Sequence, residues 1–159
     1  MKSTNNKSIN LPKKIKNRID KIRLDNINGS VKLAIDAAEI FISLIDNIYA
    51  SSSSQLIEHL KMAAKELIMA QPSMAAIFNL ANKILLNLND ITDEEKIRKT
   101  VRVLCRNYIQ KLDTSCQIIS KLSVDIIPDN STILVHSNSA TILNTLLFAK
   151  RSGKDFNII

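Results

Sequence analysis

The stretch Thr132-Ile133-Leu134-Val135-His136-Ser137-Asn138-Ser139-Ala140-Thr141 decides how the chain is read. Ile133, Leu134 and Val135 form a short apolar run with a β-branched bias, the pattern of a buried strand. They lead directly into a polar cluster with helix-capping chemistry, and a periodic apolar segment follows from Ile142 to Ala149. Strand, tight polar turn and helix N-terminus is the arrangement at which α/β folds bind ligands, because free backbone N–H groups and the helix dipole converge there. Ser137, Asn138 and Ser139 are therefore candidates for cradling an anion, and His136 for orienting one.

Upstream of this stretch the pattern is helical almost throughout. Leu11, Ile15, Ile19 and Ile22, with Leu24, describe a first helix between Leu11 and Ile27, with Pro12 in its first turn. Gly29 is expected at positive φ, ending that helix, and Ser30 is expected to cap the next. Val31, Ala34, Ile35, Ala38, Ile42, Ile45 and Tyr49, thickened by Phe41 and Ile48, give a second stripe. Ser51 to Ser54 supply a linker and cap. A third helix carries Leu56, Leu60, Ala63, Ala64 and Leu67 and stops before Pro72. Ser73 is expected to cap a fourth, with Ile77, Leu80, Ala81, Ile84 and Leu88 inward. Thr92 with Glu95 reads as a capping box opening a long fifth helix along Ile97, Val101, Leu104, Tyr108, Leu112, Ile119 and Leu122.

The period changes at Pro128-Asp129-Asn130-Ser131. Beyond it come a strand at 132–135, a helix at 139–151, a Ser152-Gly153-Lys154 stop and a second strand from Phe156 to Ile159. The fold expected is mainly α. An antiparallel helical domain of about five helices (11–127) follows a flexible basic segment (1–10), and the first strand–helix–strand of an incomplete, truncated α/β domain (128–159) closes the sequence. A strand–helix–strand unit buries its strands only when further sheet and helices cover both faces. Such a unit belongs to a longer architecture or to a chain that pairs with another.

Composition narrows the chemistry. Of 159 residues, 45% are hydrophobic, and there are two glycines and no tryptophan. Two glycines exclude a Gly-x-Gly-x-x-Gly fingerprint and a Walker A loop, and scarce aromatics disfavour a base-stacking platform. No Cys/His spacing suits a metal, and no cofactor is implied. Cys105 and Cys116 are separated by roughly 16 Å of helical rise and cannot pair within one straight helix. No apolar run approaches the ~20 residues that span a bilayer, and the N-terminus lacks a signal-peptide core, so the chain reads as a soluble cytoplasmic protein without a membrane partner.

The formal charge of +7 is concentrated at the N-terminus. Residues 1–25 carry Lys2, Lys7, Lys13, Lys14, Lys16, Arg18, Lys21 and Arg23 against Asp20 and Asp25. Lys13, Lys14, Lys16, Arg18, Lys21 and Arg23 are candidate phosphate contacts for a nucleic acid; the plainer reading is a solvated basic helix face. His59, beside Glu58 and Lys61, is expected to be exposed. Glu94 and Glu95 fall in a first helical turn, where acids suit the dipole.

Three stretches together resemble one family: Asn26-Ile27-Asn28-Gly29-Ser30-Val31-Lys32-Leu33-Ala34, Ala70-Gln71-Pro72-Ser73-Met74-Ala75-Ala76 through Asn82, and Ile133 through Ser139 continuing to Ile159. The chain from about residue 15 resembles the superfamily of the alpha, beta and delta subunits of translation initiation factor 2B, which includes ribose-1,5-bisphosphate and methylthioribose-1-phosphate isomerases. The resemblance implies an N-terminal helical domain followed by a Rossmann-like domain. It also implies association into homo- or hetero-oligomers with related subunits, and a helical domain that faces the alpha subunit of initiation factor 2. The isomerases are expected to carry a cysteine directly after the His of the turn and an arginine before the glycine of the first stretch, and the family as a whole an arginine in the second. Here those positions are Ser137, Asn28 and Gln71. The aspartate partner of the isomerases has no counterpart in these residues. The resemblance therefore implies a regulatory, binding subunit acting in protein biosynthesis rather than an enzyme, with no catalytic residue. The alternative is a catalytically degenerate sugar-phosphate isomerase fold. The candidate ligand is a nucleotide or sugar phosphate at Asn28, Gly29, Ser30, His136, Ser137, Asn138 and Ser139.

Overall fold

In the computed structural model, which describes residues 10–159, the chain is mainly helical. The order is α1 (Lys13–Arg23), α2 (Ser30–Asn47), α3 (Ser53–Ala70), α4 (Ala75–Leu86), α5 (Glu94–Ser123), a 3-10 turn (Val124–Ile126), β1 (Ser131–Ile133), α6 (Ala140–Arg151) and β2 (Phe156–Ile158). Five helices and then a strand–helix–strand unit is the fold class read from the sequence. The expected loose segment 1–10 lies, except for Asn10, outside the described residues. Among the described residues no helix is long and apolar enough to cross a membrane.

Two hydrophobic clusters hold the chain. The larger joins α1 to α4 and the first half of α5, with Ile15, Ile19, Phe41, Leu44, Leu60, Leu80, Ile97 and Val101 buried together. The smaller collects Leu146, Ala149 and Phe156, with Val124, Ile127, Ile133 and Val135 against them. α5 runs through both, packing on α2 at one end and on α6 at the other.

Several local expectations shift. α1 ends at Arg23, and Leu24, 77% exposed, lies outside its stripe. Gly29 does not end α1: its φ is −76°, and it stands at the N-cap of α2, with Ser30 the first helical residue rather than the cap. The reversal after α1 comes instead from Asp25, whose carboxylate accepts the backbone N–H groups of Ile27 (3.0 Å) and Asn28 (2.8 Å). The buried face of α2 is wider than the expected stripe: Ala34, Ala38, Phe41 and Ile45 are buried as expected, and a second row joins them. Leu33, Ala37, Ile40 and Leu44 form that row, while α2 stops at Asn47 and leaves Tyr49 exposed. Arg98 of α5 sets that stop by donating to the carbonyls of Ile45 and Ile48.

α3 opens as expected, with Ser52 Oγ accepting the Gln55 N–H at 3.2 Å. α4 has no side-chain cap, and Met74 rather than Ser73 precedes it. At α5 the cap is Asp93, accepting the Lys96 N–H at 2.7 Å; a carboxylate outcompetes the neighbouring Thr92 hydroxyl at a positive helix end. In the second half of α5 the buried residues are Cys116 and Ser120, not Ile119 and Leu122, because α6 packs against the adjoining face. His59 is buried rather than exposed, with Nδ1 2.8 Å from the Gln55 carbonyl oxygen.

β1 and β2 pair in parallel, Ser131 with Phe156, Thr132 with Asn157 and Ile133 with Ile158, and α6 forms the crossover. The ladder extends through Val135 N–H to Ile159 O (2.9 Å) and Ile159 N–H to Ile133 O (3.0 Å). Alternation places Ile133, Val135 and Phe156 toward α6. Leu134 and Ile159 fall on the opposite face and are 76% and 70% exposed, so the strand read as buried is covered on one side alone.

Candidate functional site

The turn after β1 faces the loop before α2. Between them lies a cleft of about 420 Å³ lined by residues 26–31, Met74 and residues 137–141. Two contacts hold its walls together. Asn138 Nδ2 donates to the Ile27 carbonyl at 2.9 Å. At Gly29, an added Cβ would come within 2.6 Å of the Asn138 carbonyl oxygen, so only glycine admits the turn at this distance.

Both walls are helix N-termini. α2 begins at Ser30 behind an uncapped Gly29, and α6 begins at Ala140 behind Ser139, whose Oγ accepts the Ile142 N–H at 3.4 Å. The positive ends of two helix dipoles thus border one cleft. The side chains that line it are hydroxyls, amides and apolar groups, with no carboxylate, thiol, imidazole, amine or guanidinium among them. Asn28 is engaged with Asp25 at 2.7 Å and Asn138 with Ile27. The hydroxyls of Ser30 and Ser137 make no hydrogen bond within the described residues. Such a site offers hydrogen-bond donors and a positive potential, and no proton-transfer group.

Of the residues singled out in the sequence, Asn28, Gly29, Ser30, Ser137, Asn138 and Ser139 come together here. His136 does not line the cleft; it is exposed on the strand side of the turn. Met74 and Thr141 join the site without having been singled out. Thr141 follows from its place in the first turn of α6. Met74 is brought in by the packing of α4, which no local pattern reports. Gln71 serves another purpose: its Nε2 donates to the carbonyls of Ile22 (2.8 Å) and Asp25 (3.2 Å), closing the C-terminal end of α1. Arg18 and Arg23 are drawn into ion pairs with Glu39 and with Asp20 and Glu66.

Cys105 and Cys116 are both buried and free, and burial pushes the Cys105 thiol up to about 12. The backbone and side-chain hydrogen bonds from Asn28, followed by the Ile27 N–H, hold Asp25 below the usual carboxylate value. No cluster suited to a metal ion occurs among the described residues.

The chain is similar to known proteins over most of its length. A protein 29% identical over 149 residues is a putative translation initiation factor eIF-2B subunit 2-like protein of Pyrococcus furiosus; the match covers 94% of this chain and 50% of that one. A ribose 1,5-bisphosphate isomerase of Archaeoglobus fulgidus is 24% identical over 140 residues, covering 88% of this chain and 43% of its own length. The chain thus spans about half the length of the relatives it matches. The fold is that of the translation initiation factor eIF-2B of Pyrococcus horikoshii, with a TM-score of 0.80 at 23% identity over 93% of this chain and 50% of that one. The model of the initiation factor 2 subunit family matches residues 26–159, from the first wall of the cleft to the last strand, and the chain belongs to that family.

Proposed function

We propose that the protein is a binding, regulatory member of its family, acting as an initiation factor 2B-like subunit in the cytoplasm rather than as a sugar-phosphate isomerase. The observation that carries this reading is the chemistry of the cleft. Isomerising a sugar moves protons between adjacent atoms and needs a positioned acid and base. The residues this chain contributes supply serine hydroxyls and amides, with Ser137 where the resemblance expects a cysteine. A neutral serine without a neighbouring base is a poor nucleophile and a poor acid. On this reading the cleft retains affinity for a phosphate group of a nucleotide or sugar, held by the N–H groups of the two helix ends and the hydroxyls of Ser30 and Ser137. Residues 11–127 act as a helical domain that meets the alpha subunit of initiation factor 2. Residues 128–159 open a Rossmann-like domain through which related subunits associate.

The test has two arms. Association of the purified protein with an initiation factor 2 alpha subunit is expected in a pull-down, together with no turnover of ribose-1,5-bisphosphate. Isomerase turnover with Ser137 intact overturns the assignment, and absence of association removes its partner. A thermal-shift series with ribose-1,5-bisphosphate and nucleoside monophosphates reads the cleft separately, with stabilisation expected to disappear in Ser137→Ala/Ser30→Ala.

A further inference from the structure

The outward face of α1 is charged in a way the cleft does not use. Every apolar residue of the helix, Ile15, Ile19 and Ile22, is buried. What remains outside is Lys13, Lys14, Lys16 and Lys21, all exposed, with Asn17, Asp20 and the two arginines. The acids that border this helix are already engaged: Glu39 with Arg18, Glu66 and Asp20 with Arg23, Asp36 with Lys32, and Asp25, near Lys21, with the N–H groups of Ile27 and Asn28 and the Asn28 amide. The four lysines have no ion-pair partner among the described residues. Arg18 and Arg23, which the sequence grouped with them, fasten α1 to α2 and α3 instead.

The placement of these cations is costly to the helix itself. Lys13, Lys14 and Lys16 crowd the first turn and its margin, and no acid stands in that turn. Cations at a helix N-terminus oppose the macrodipole, so local stability disfavours this arrangement. An external polyanion relieves both the dipole conflict and the mutual repulsion of the lysines.

We propose that α1 docks the phosphate backbone of RNA, without base readout, through Lys13, Lys14, Lys16 and Lys21. The face favours a nucleic acid over an acidic protein because it offers charge alone. Protein interfaces are built around a buried apolar or aromatic centre, and α1 itself exposes no such residue; the exposed Leu24 and Ile27 lie beyond its C-terminal end. Lysine is a mobile point charge suited to phosphates in several orientations, and without aromatics there is nothing for bases to stack on. This surface is independent of the cleft, so its fate does not bear on the proposed function.

Fluorescence anisotropy with a labelled RNA duplex, titrated between 50 and 300 mM salt, tests the proposal. About four phosphate contacts predict a slope of log K against log salt of roughly −3.6. The variant Lys13→Gln/Lys14→Gln/Lys16→Gln/Lys21→Gln is expected to lose at least about tenfold in affinity at the lowest salt, with most of the slope. The matching lysine-to-arginine set retains both. Circular dichroism and thermal melting accompany each variant, and the glutamine set is expected to melt no lower than the wild type, since it removes cations from a positive helix end. Should the fourfold variant fail to fold, Lys13→Gln/Lys14→Gln must flatten the slope by about 1.8. Unchanged affinity or slope in a folded variant overturns the proposal. Poly-glutamate competing as well as RNA at equal charge overturns the assignment to nucleic acid.

Discussion

Gly29 and Asn138 meet so closely that a Cβ on residue 29 would stand 2.6 Å from the Asn138 carbonyl oxygen. The obstructing atom is backbone, and it cannot swing aside as a side-chain tip can. The φ of Gly29, −76°, is open to any residue, so the demand for glycine here is steric rather than conformational. Gly29→Ala is expected to cost about 1–3 kcal/mol in urea denaturation and to abolish any phosphate-induced thermal shift by parting the cleft walls. Gly153 is the contrasting position. It has φ +88° and nothing within 4 Å of an added Cβ, so Gly153→Ala costs about 1–2 kcal/mol of backbone strain and leaves the cleft's ligand response intact. Equal ligand responses in the two variants would exclude the contact as a determinant of the site.

Gln71 bridges two carbonyls at the end of α1 from 49 and 46 residues away. Gln71→Ala is expected to destabilise by about 1–2 kcal/mol, as a lost half-buried hydrogen-bonding group does. Gln71→Glu replaces a donor with an acceptor facing two acceptors. It should be the worse variant at pH 7 and recover part of its loss near pH 4, when the carboxyl can donate again. A pH series of denaturation midpoints distinguishes the two.

Asp25 titrates below its ordinary value of 3.8, chiefly through hydrogen bonds from Asn28. A lowered folded pKa means that the unfolded state takes up the proton first as pH falls. The contribution of Asp25 is therefore complete above the ordinary carboxylate range and disappears as pH falls through the lowered folded value. Asp25→Asn is expected to lower stability at pH 7 while flattening the acid limb of the stability curve, which thermal melts between pH 2 and pH 6 will show.

Cys105 is fully buried, and its pKa rises to about 12 because burial penalises the thiolate. Only the thiolate reacts with disulfide reagents. In native protein at pH 8 this thiol should stay unmodified over hours, and both cysteines should react within minutes in denaturant. For a raised folded pKa the sign reverses. The associated stability is intact below the unfolded value near 9 and is lost as pH climbs toward 12.

The two-stranded sheet has unequal faces. Ile133 packs into the smaller cluster, while Leu134 and Ile159 stand largely in solvent on the other side. Leu134→Thr and Ile159→Thr are expected to change stability by less than about 0.5 kcal/mol and to reduce binding of a hydrophobic dye. Ile133→Ala should cost about 1–3 kcal/mol. Dye binding unaffected by the two threonines would mean the bare face lies elsewhere, along Ile118, Leu122 and Ile126, which are also exposed.

What the sequence by itself determined here is whatever local chemistry controls. Periodic Ile and Leu placed α3 and α4 with their buried faces, because an apolar stripe has one way to be sheltered. The change of period at residues 128–131 announced the strand–helix–strand unit, and the polar cluster before α6 was legible as capping chemistry, which Ser139 supplies. The sequence also singled out six residues, at 28–30 and 137–139, that line one cleft, although two elements more than a hundred residues apart supply them. Tertiary structure decided the rest, because those outcomes depend on what arrives from elsewhere in the chain. In alanine-rich α2 the expected Ala34, Ala38, Phe41 and Ile45 are buried, and packing by several other helices buries Leu33, Ala37, Ile40 and Leu44 as well. Gly29 looked like a helix terminator until Asn138 came against it. His59 was drawn inside by α3 packing, and Arg18 and Arg23 were taken out of the basic face by acids on α2 and α3. A glycine's local freedom is written in its own residue type, but the atom that forbids a side chain there comes from a turn the fold alone brings near.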